Sequence, residues 1–221
     1  MESSDDIAKA RRLMVTEQLE RRGITAPRVL AAMAKLPRDR FVPDVAPVEA
    51  YADRAWPIDC GQTISQPYIV GLMTQAAALE GTEHVLEVGT GSSYQAAILA
   101  MLARSVVSIE RHPQLSAQAG RVLAGLGIMN VKLVVGDGTL GWPEDAPYDR
   151  ILVTATAADC PPALWEQLAE GGTLVMPLGE SNKQTLQALR KVQGRAERTT
   201  LSGCRFVPLV GAQGWPEEGP G

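Results

Sequence analysis

One short stretch, residues 85–97, constrains the fold of this chain more than any other. Its sequence, VLEVGTGSSYQAA, predicts a buried strand, a glycine turn and the start of a helix. Such a turn places backbone N–H groups and a helix N-terminus at the mouth of a crevice, where a nucleotide-like ligand can bind. The dinucleotide fingerprint requires a third glycine where this chain has Tyr94, and Glu87 in the strand would repel a pyrophosphate. The same carboxylate would instead hold a ligand that carries an ammonium group.

Strands and helices alternate around this turn. The predicted strands are 84–88, 105–110, 131–135, 149–154 and 173–176, and the predicted helices between them are 94–104, 113–126 and 162–169. Strands separated by helices of this length form βαβ units and a parallel sheet. Residues 184–192 and 199–207 read as strands with no helix between them, which predicts a terminal antiparallel pair. The fold class is therefore α/β, with a Rossmann-like, mostly parallel sheet.

The residues before this core predict an N-terminal helical extension. Its segments are a helix over 7–22 closed by Gly23, a helix over 27–35, an irregular stretch over 40–62, and a helix that begins near Ser65 and ends before Gly81. We divide the chain into an N-terminal helical segment that would border a substrate (1–80), a core (81–215) and a disordered tail (216–221). All three belong to one structural domain.

Composition excludes several classes of protein. The formal net charge of −4 and a pI near 5.3 argue against general binding to nucleic acid or to an acidic membrane surface. No apolar run is long enough to span a bilayer, and the acidic N-terminus lacks the layout of a signal peptide. Three scattered cysteines and two histidines predict reduced thiols, a cytoplasmic location and no metal site.

Three acidic residues lie in or just after successive predicted strands. Because parallel strands present their carboxyl ends at one edge of a sheet, Glu87, Glu110 and Asp137 should converge on one ligand. Glu87 suits an amino-acid ammonium, Glu110 a ribose diol, and Asp137, with Gly138 beside it, an adenine amino group. Taken singly, Glu110 could be a solvated strand end and Asp137-Gly138 a common turn. Together they predict S-adenosyl-L-methionine as cofactor, S-adenosyl-L-homocysteine as product, and a methyltransferase.

A second motif, GQTISQPYIV at residues 61–70, precedes the core. It presents the hydroxyls of Thr63 and Ser65 and free backbone N–H groups where a helix starts, which suits a carboxylate. The alternative is an ordinary surface helix that has Ser65 as its cap.

This second motif resembles the signature of the protein L-isoaspartyl O-methyltransferases, enzymes that methylate the free carboxylate of isoaspartyl residues in damaged proteins. The likeness covers most of the chain, through residues 14–19, 22–24, 27–30, 40–43, 85–97, 148–155, 162–164, 170–172 and 206–209. The GQTISQP element is specific to this family, whereas the glycine loop is shared by methyltransferases at large. The resemblance implies methylation of L-isoaspartyl residues, with acceptance of D-aspartyl residues left open.

The resemblance also implies a set of site residues. Ser65 is the implied active-site hydroxyl, with no metal. The implied cofactor-binding residues are Thr63, Ile64, Glu87, Gly89, Thr90, Gly91, Ser92, Glu110, Arg111, Asp137, Gly138 and Thr154. The implied substrate-binding residues are Thr63, Ser65, Gln66, Val153, Ala155, Val210 and Gln213.

Two positions depart from the family pattern. Ser93 stands where glycine is common, one turn into the helix by our interpretation, where its side chain would crowd the cofactor and weaken binding. Gly71 stands where a small aliphatic residue is common.

Other functions remain open at this point. The main alternative is a methyltransferase that acts on a different carboxylate or on a small molecule. A silent cofactor-binding module and a nicotinamide-dependent oxidoreductase are the others, and Glu87 and Tyr94 disfavour the last. The implied partners are damaged proteins and peptides, without nucleic acid or membrane, and the implied state is a monomer.

Overall fold

The computed structural model describes residues 2–180 and 183–217, and a single large sheet organises them. Its strands are β3 (His84–Val88), β4 (Ser105–Glu110), β5 (Val131–Val135), β6 (Tyr148–Val153), β7 (Leu168–Glu180), β8 (Lys183–Val192) and β9 (Arg195–Cys204), and β1 (Trp56–Pro57) and β2 (Thr63–Ile64) form a separate hairpin. The order across the sheet is β5-β4-β3-β6-β7-β8-β9. Strands β3 to β7 pair in parallel, whereas β7, β8 and β9 pair antiparallel. The predicted fold class is confirmed.

Helices cover both faces of the sheet and create two apolar cores. They are α1 (Ser4–Leu13), α2 (Pro27–Lys35), α3 (Pro67–Ala77), α4 (Tyr94–Leu102), α5 (Pro113–Gly125) and α6 (Pro162–Gln167). The larger core joins the N-terminal segment, α3 and α4 to one face, and the smaller core includes Leu164 of α6. Helix α4 is buried almost all round, which explains why its sequence is apolar without a polar face.

The N-terminal helix is longer than predicted. It begins at Ser4, behind a capping box between Ser3 and Asp6, and continues through a π-helical turn and a 3₁₀ turn to Arg22. The left-handed Gly23 (φ 89°) ends it, as predicted. A Cβ on Gly71 of α3 would lie 3.2 Å from Leu19 Cδ2, so the close packing of these two helices accounts for the glycine at this position.

Helix α3 starts two residues later than predicted. Its N-cap is Gln66, and no side chain caps the first turn, so the interpretation of Ser65 as a helix cap was wrong. Ser65 instead follows β2, which pairs with β1 through Ile64 and Trp56. We call residues 63–66 the lip.

Several further boundaries differ from prediction by one to five residues, the clearest being these. The helix predicted over 162–169 ends at Gln167, the strand predicted over 173–176 runs from Leu168 to Glu180, and the strand predicted over 199–207 runs from Arg195 to Cys204. The division into segments stays a prediction. Of the predicted disordered tail, Pro216 and Glu217 have a described structure and residues 218–221 lie outside the described residues.

Candidate active site

The crevice opens at the carboxyl ends of β3 and β6. Between these two strands the order in which the chain adds strands to the sheet reverses. These strands are neighbours and pair through Val88 and Val153. Thr154, the next residue after β6, donates its hydroxyl to the Gly89 carbonyl at 2.8 Å. Gly89 has a φ of 93°, and a Cβ there would lie 2.3 Å from the Thr154 hydroxyl oxygen. Only glycine fits, so the first glycine of the turn is fixed by the neighbouring strand.

Ser93, the last residue of the glycine loop, has a backbone conformation that is unfavourable for residues other than glycine. It is the N-cap of α4 in a left-handed conformation (φ 66°), not a residue one turn into the helix. Its hydroxyl is buried and has no partner among the described residues, and it lies on none of the cavity walls described below. Serine in place of glycine therefore strains the backbone at this position. The position of its side chain does not indicate that it crowds the cofactor.

Glu87 lies fully buried behind the loop. One carboxylate oxygen accepts the Ser108 hydroxyl, which also bonds Thr90 Oγ1 at 2.6 Å, and the other has no partner among the described residues. Burial raises the pKa of Glu87 to about 8, with Glu110 adding to the increase and the Ser108 hydrogen bond opposing it. A cation near this carboxyl would favour its ionised form.

The other two predicted acids lie at the expected strand ends, with protein donors already bound. Glu110 accepts the backbone N–H of Gly91 at 2.9 Å and that of His112 at 3.0 Å. Asp137 accepts the Thr139 backbone and hydroxyl on one oxygen, at 2.9 and 2.7 Å, and the Ala212 N–H on the other at 2.7 Å. Burial alone would raise the pKa of Asp137, but the hydrogen bonds from Ala212 and Thr139 hold it below its ordinary value.

A C-terminal strap, residues 208–217, closes over this side of the crevice. Besides its bond to Asp137, it donates Trp215 Nε1 to the Thr156 carbonyl at 3.0 Å. Glu217 pairs with Arg111 at 2.8 Å. The strap leaves a cavity of about 70 Å³ beside Glu110 and Gly138, which we call the adenosine cavity.

A larger cavity of about 460 Å³, the acceptor cavity, lies between the lip, the glycine loop and residues 202–207. The charged side chains on its described wall are Arg22 and Arg205. Arg22 stacks 3.5 Å above the ring of Tyr68 and pairs with Asp53. Ser65 is half-buried on this wall, and its hydroxyl has no hydrogen-bond partner among the described residues. The wall therefore offers a free hydroxyl and positive charge to an anion.

The structure brings most predicted site residues to these two cavities. Thr63, Gly89, Gly91 and Thr154 line both; Ile64, Ser65, Gln66, Thr90 and Ser92 line the acceptor cavity; Glu110, Arg111, Gly138, Ala155 and Val210 line the adenosine cavity. Four lie on neither wall: Glu87, Val153, Asp137 and Gln213. Gln213 is turned away, since its side-chain oxygen accepts the Ala163 N–H at 2.9 Å.

Sequence reasoning missed Arg22, Tyr68 and the segment 202–207 as parts of the acceptor wall. Tyr68 lies in the motif at residues 61–70 but was given no role there. Arg22 and residues 202–207 were not assigned to the wall, because the N-terminal helix and the end of β9 reach the cavity only through tertiary packing. Among the described residues, no group of three or more His, Cys, Asp or Glu could hold a metal ion, and no helix is both long and apolar enough to cross a membrane.

Comparison with known proteins agrees with this geometry. Residues 9–214 match the family model described as protein-L-isoaspartate(D-aspartate) O-methyltransferase. A protein-L-isoaspartate O-methyltransferase of Trichlorobacter lovleyi is 55% identical over 207 residues, which cover 93% of this chain and 95% of that protein. One from Koribacter versatilis is 50% identical over 218 residues, covering 97% and 98%.

Solved structures show the same fold. A protein-L-isoaspartate O-methyltransferase superposes with a TM-score of 0.81 at 28% identity, over 94% of this chain and 66% of that one. A Plasmodium falciparum protein solved in complex with S-adenosyl-L-homocysteine gives a TM-score of 0.78 at 24% identity, over 90% and 98%. The chain therefore belongs to the protein-L-isoaspartate(D-aspartate) O-methyltransferase family.

Proposed function

We propose that this chain transfers the methyl group of S-adenosyl-L-methionine to the free carboxylate of L-isoaspartyl residues in damaged proteins and peptides. The observation that carries the proposal is the meeting of two cavities at the glycine loop, one with the strand-end acid Glu110 and one with the free Ser65 hydroxyl. Membership of the family supports the reaction and its acceptor.

The residues present fit the cofactor. Gly89 leaves room that a Cβ would fill, and Glu87 keeps a buried oxygen without a partner among the described residues. Glu87 would meet the ammonium, Glu110 the ribose hydroxyls and Asp137 the adenine, each by exchanging or sharing its protein donors. When bound, S-adenosyl-L-methionine supplies an electrophilic methyl group on a cationic sulfur. The remaining predicted contacts, from Thr63 and Ile64 of the lip to Thr154, are part of the same proposal.

Ser65 is proposed to orient the acceptor carboxylate. A carboxylic acid with a pKa of about 4 is already ionised at neutral pH, so the nucleophile needs no general base. The described acceptor wall accordingly carries no His, Lys, Asp or Glu. Orientation of carboxylate oxygen against the methyl group can supply up to about 7–11 kcal/mol. The Ser65 hydroxyl would donate to one carboxylate oxygen and leave the other to react.

Gln66 and Thr63 would complete the cradle on the lip. Ala155, next but one to the buried Val153, lines the adenosine cavity and would form the floor on the cofactor side. Val210 lines the adenosine cavity, so it would act through the cofactor side and not on the acceptor. Arg22 and Arg205 would attract the anionic acceptor to the mouth of the cavity.

Two synthetic peptides test the proposal. They are identical except that one aspartyl linkage is normal in the first and isoaspartyl in the second. With labelled S-adenosyl-L-methionine, the isoaspartyl peptide should gain label as a base-labile methyl ester and the normal peptide should not. Equal labelling of both would favour a less selective carboxyl methyltransferase, and labelling of neither would overturn the assignment.

We further propose that the chain works as a monomer in the cytoplasm. Residues of one chain form both cavities, and none of the three cysteines, Cys60, Cys160 and Cys204, is paired with another. Light scattering during size exclusion measures the mass directly, and a stable dimer would contradict the first part.

A further inference from the structure

A buried arginine stands directly behind the lip. Arg38 is 0% exposed, and it donates Nε to the Ala50 carbonyl at 2.7 Å and Nη2 to the Ser65 carbonyl at 2.8 Å. No carboxylate lies within 4 Å of it among the described residues, and its Nη1 has no partner there. Burial of a cation without a carboxylate in contact is costly, so a position of this kind suggests a role besides stability.

The same guanidinium also reaches the cofactor loop. Its central carbon lies 4.8 Å from the ring centroid of Tyr94, the first residue of α4, which follows the glycine turn and lines the acceptor cavity. Tyr94 is held in turn by an edge-to-face contact with Phe41 at 5.2 Å. The buried Arg38 therefore contacts both the lip, at Ser65, and the first residue of α4, Tyr94.

The bond to Ser65 acts on the peptide group that faces the acceptor. A charged donor on the Ser65 carbonyl polarises the whole amide, including the N–H of Gln66 in the same peptide unit. Gln66 is the N-cap of α3, and its N–H has no acceptor among the described residues. The polarised N–H, the Ser65 hydroxyl and the positive end of α3 then form one cradle for an anion.

We infer that Arg38 is a positioning residue for methyl transfer, which holds Ser65 in place and strengthens the Gln66 amide as a donor to the acceptor carboxylate. The inference rests on the proposed function, because it concerns the same acceptor. Arg38 itself touches neither acceptor nor methyl donor.

Arg38→Met and Arg38→Lys test the inference, and Arg28→Met, at an exposed arginine, is the control for loss of an arginine that bridges two backbone carbonyls. Arg28 also donates to two backbone carbonyls, of Leu79 at 2.8 Å and Leu102 at 3.1 Å, but it lines neither cavity. We expect Arg38→Met to lower kcat/KM for the isoaspartyl peptide roughly tenfold to a hundredfold, the size of a lost charged hydrogen bond, with S-adenosyl-L-methionine affinity within about threefold. Arg38→Lys should restore part of the loss, and Arg28→Met should leave kcat/KM within about threefold.

A double-mutant cycle with Ser65→Ala distinguishes positioning from general support of the fold. Ser65→Ala keeps the backbone carbonyl that Arg38 binds, so it removes only the part of the effect that acts through the Ser65 hydroxyl. If Arg38 works chiefly by holding that hydroxyl in place, the effect of Arg38→Met should shrink at least about threefold in the Ser65→Ala background. Independent, multiplicative effects would overturn the inference, as would a loss that tracks thermal stability equally in the Arg28 and Arg38 variants. If Arg38→Met does not fold, the cycle is run with Arg38→Lys under the same criteria. Failure of the proposed function would be seen earlier, as wild-type enzyme that does not label the isoaspartyl peptide.

Discussion

The two cavities that meet at the glycine loop differ in how ready they are to receive a ligand. The acceptor cavity is open, at about 460 Å³, and presents the free Ser65 hydroxyl between Arg22 and Arg205. The adenosine cavity is only about 70 Å³ and lies under the strap. Glu110 on its wall and Asp137 beside the strap already accept protein N–H groups.

The two sides differ in how polar groups near the cavity obtain hydrogen-bond partners, which they need because an unpartnered buried polar group costs free energy. On the acceptor side the hydroxyl is half-buried and the arginines are exposed, so water can hydrate these groups and they need no protein partners. On the cofactor side Glu110 is buried and Asp137 is half-buried, and a carboxylate shielded from water is costly without donors. The protein supplies those donors until a ligand replaces them. Under the proposed function the acceptor site would be preformed, whereas the cofactor site would have to exchange hydrogen-bond partners.

The largest expected effect comes from a change on the wall that both cavities share. In Gly89→Ala the new Cβ would lie 2.3 Å from Thr154 Oγ1 in a residue of positive φ. We expect a loss on the order of 2–4 kcal/mol in unfolding free energy and weaker binding of both ligands. Urea denaturation and isothermal titration measure both. Gly91→Ala is the control, since its Cβ would meet only Ile58 Cδ1 at 3.6 Å, and an equal loss there would contradict the steric account.

The next change separates the two sides. Ser65→Ala removes one donor to an ionised carboxylate, which is worth about 1.5–3 kcal/mol, so kcat/KM for the isoaspartyl peptide should fall roughly tenfold to a hundredfold. Affinity for S-adenosyl-L-methionine should stay within about threefold. If cofactor affinity fell as far as peptide turnover, the assignment of Ser65 to the acceptor side would be wrong.

Glu87 offers a test of the cofactor side through pH. Its pKa rises from an ordinary 4.5 to about 8 on folding, so the unfolded chain binds fewer protons than the native one between these values. Stability that is present below pH 4.5 is therefore lost as pH rises towards 8. Glu87→Gln should remove this loss and raise the unfolding free energy on the order of 1–3 kcal/mol at pH 7.5, with little gain at pH 4. A gain that did not depend on pH would contradict the buried carboxyl as its source.

The smallest expected effect is at Ser93. Because its φ of 66° suits glycine, Ser93→Gly should stabilise the protein by about 1 kcal/mol, as measured by urea denaturation. Affinity for S-adenosyl-L-methionine should not change, since the side chain is not on a cavity wall. Ser92→Gly, whose φ is not positive, should give no gain. A large rise in cofactor affinity would instead restore the prediction that Ser93 crowds the ligand.

Sequence predicted three parallel strands, β3, β4 and β5, to the residue, because each is a short stretch rich in valine with clear ends. The terminal hairpin was placed too late. It turns at Gln193 and Gly194, both with positive φ, which is the geometry of a two-residue hairpin loop, but glutamine is not a typical residue for it.

The site was predictable where it follows strand ends, as at Glu110 and Gly138. The protein donors that Glu110 and Asp137 hold, the cationic contact of Arg22 with Tyr68, and the buried Arg38 come from segments distant in sequence. Local periodicity carries no information about such partners.

The strap has a consequence for the timing of catalysis. It is bound to the core at Arg111, Asp137 and Thr156, and Arg111 lines the adenosine cavity, in which the nucleoside is proposed to bind. Under the proposed function, arrival of the methyl donor and departure of its demethylated product would both require the strap to move, whereas a peptide would enter the acceptor cavity without crossing the strap. We therefore expect cofactor exchange to be slower than peptide exchange, so that movement of the strap limits the rate of turnover.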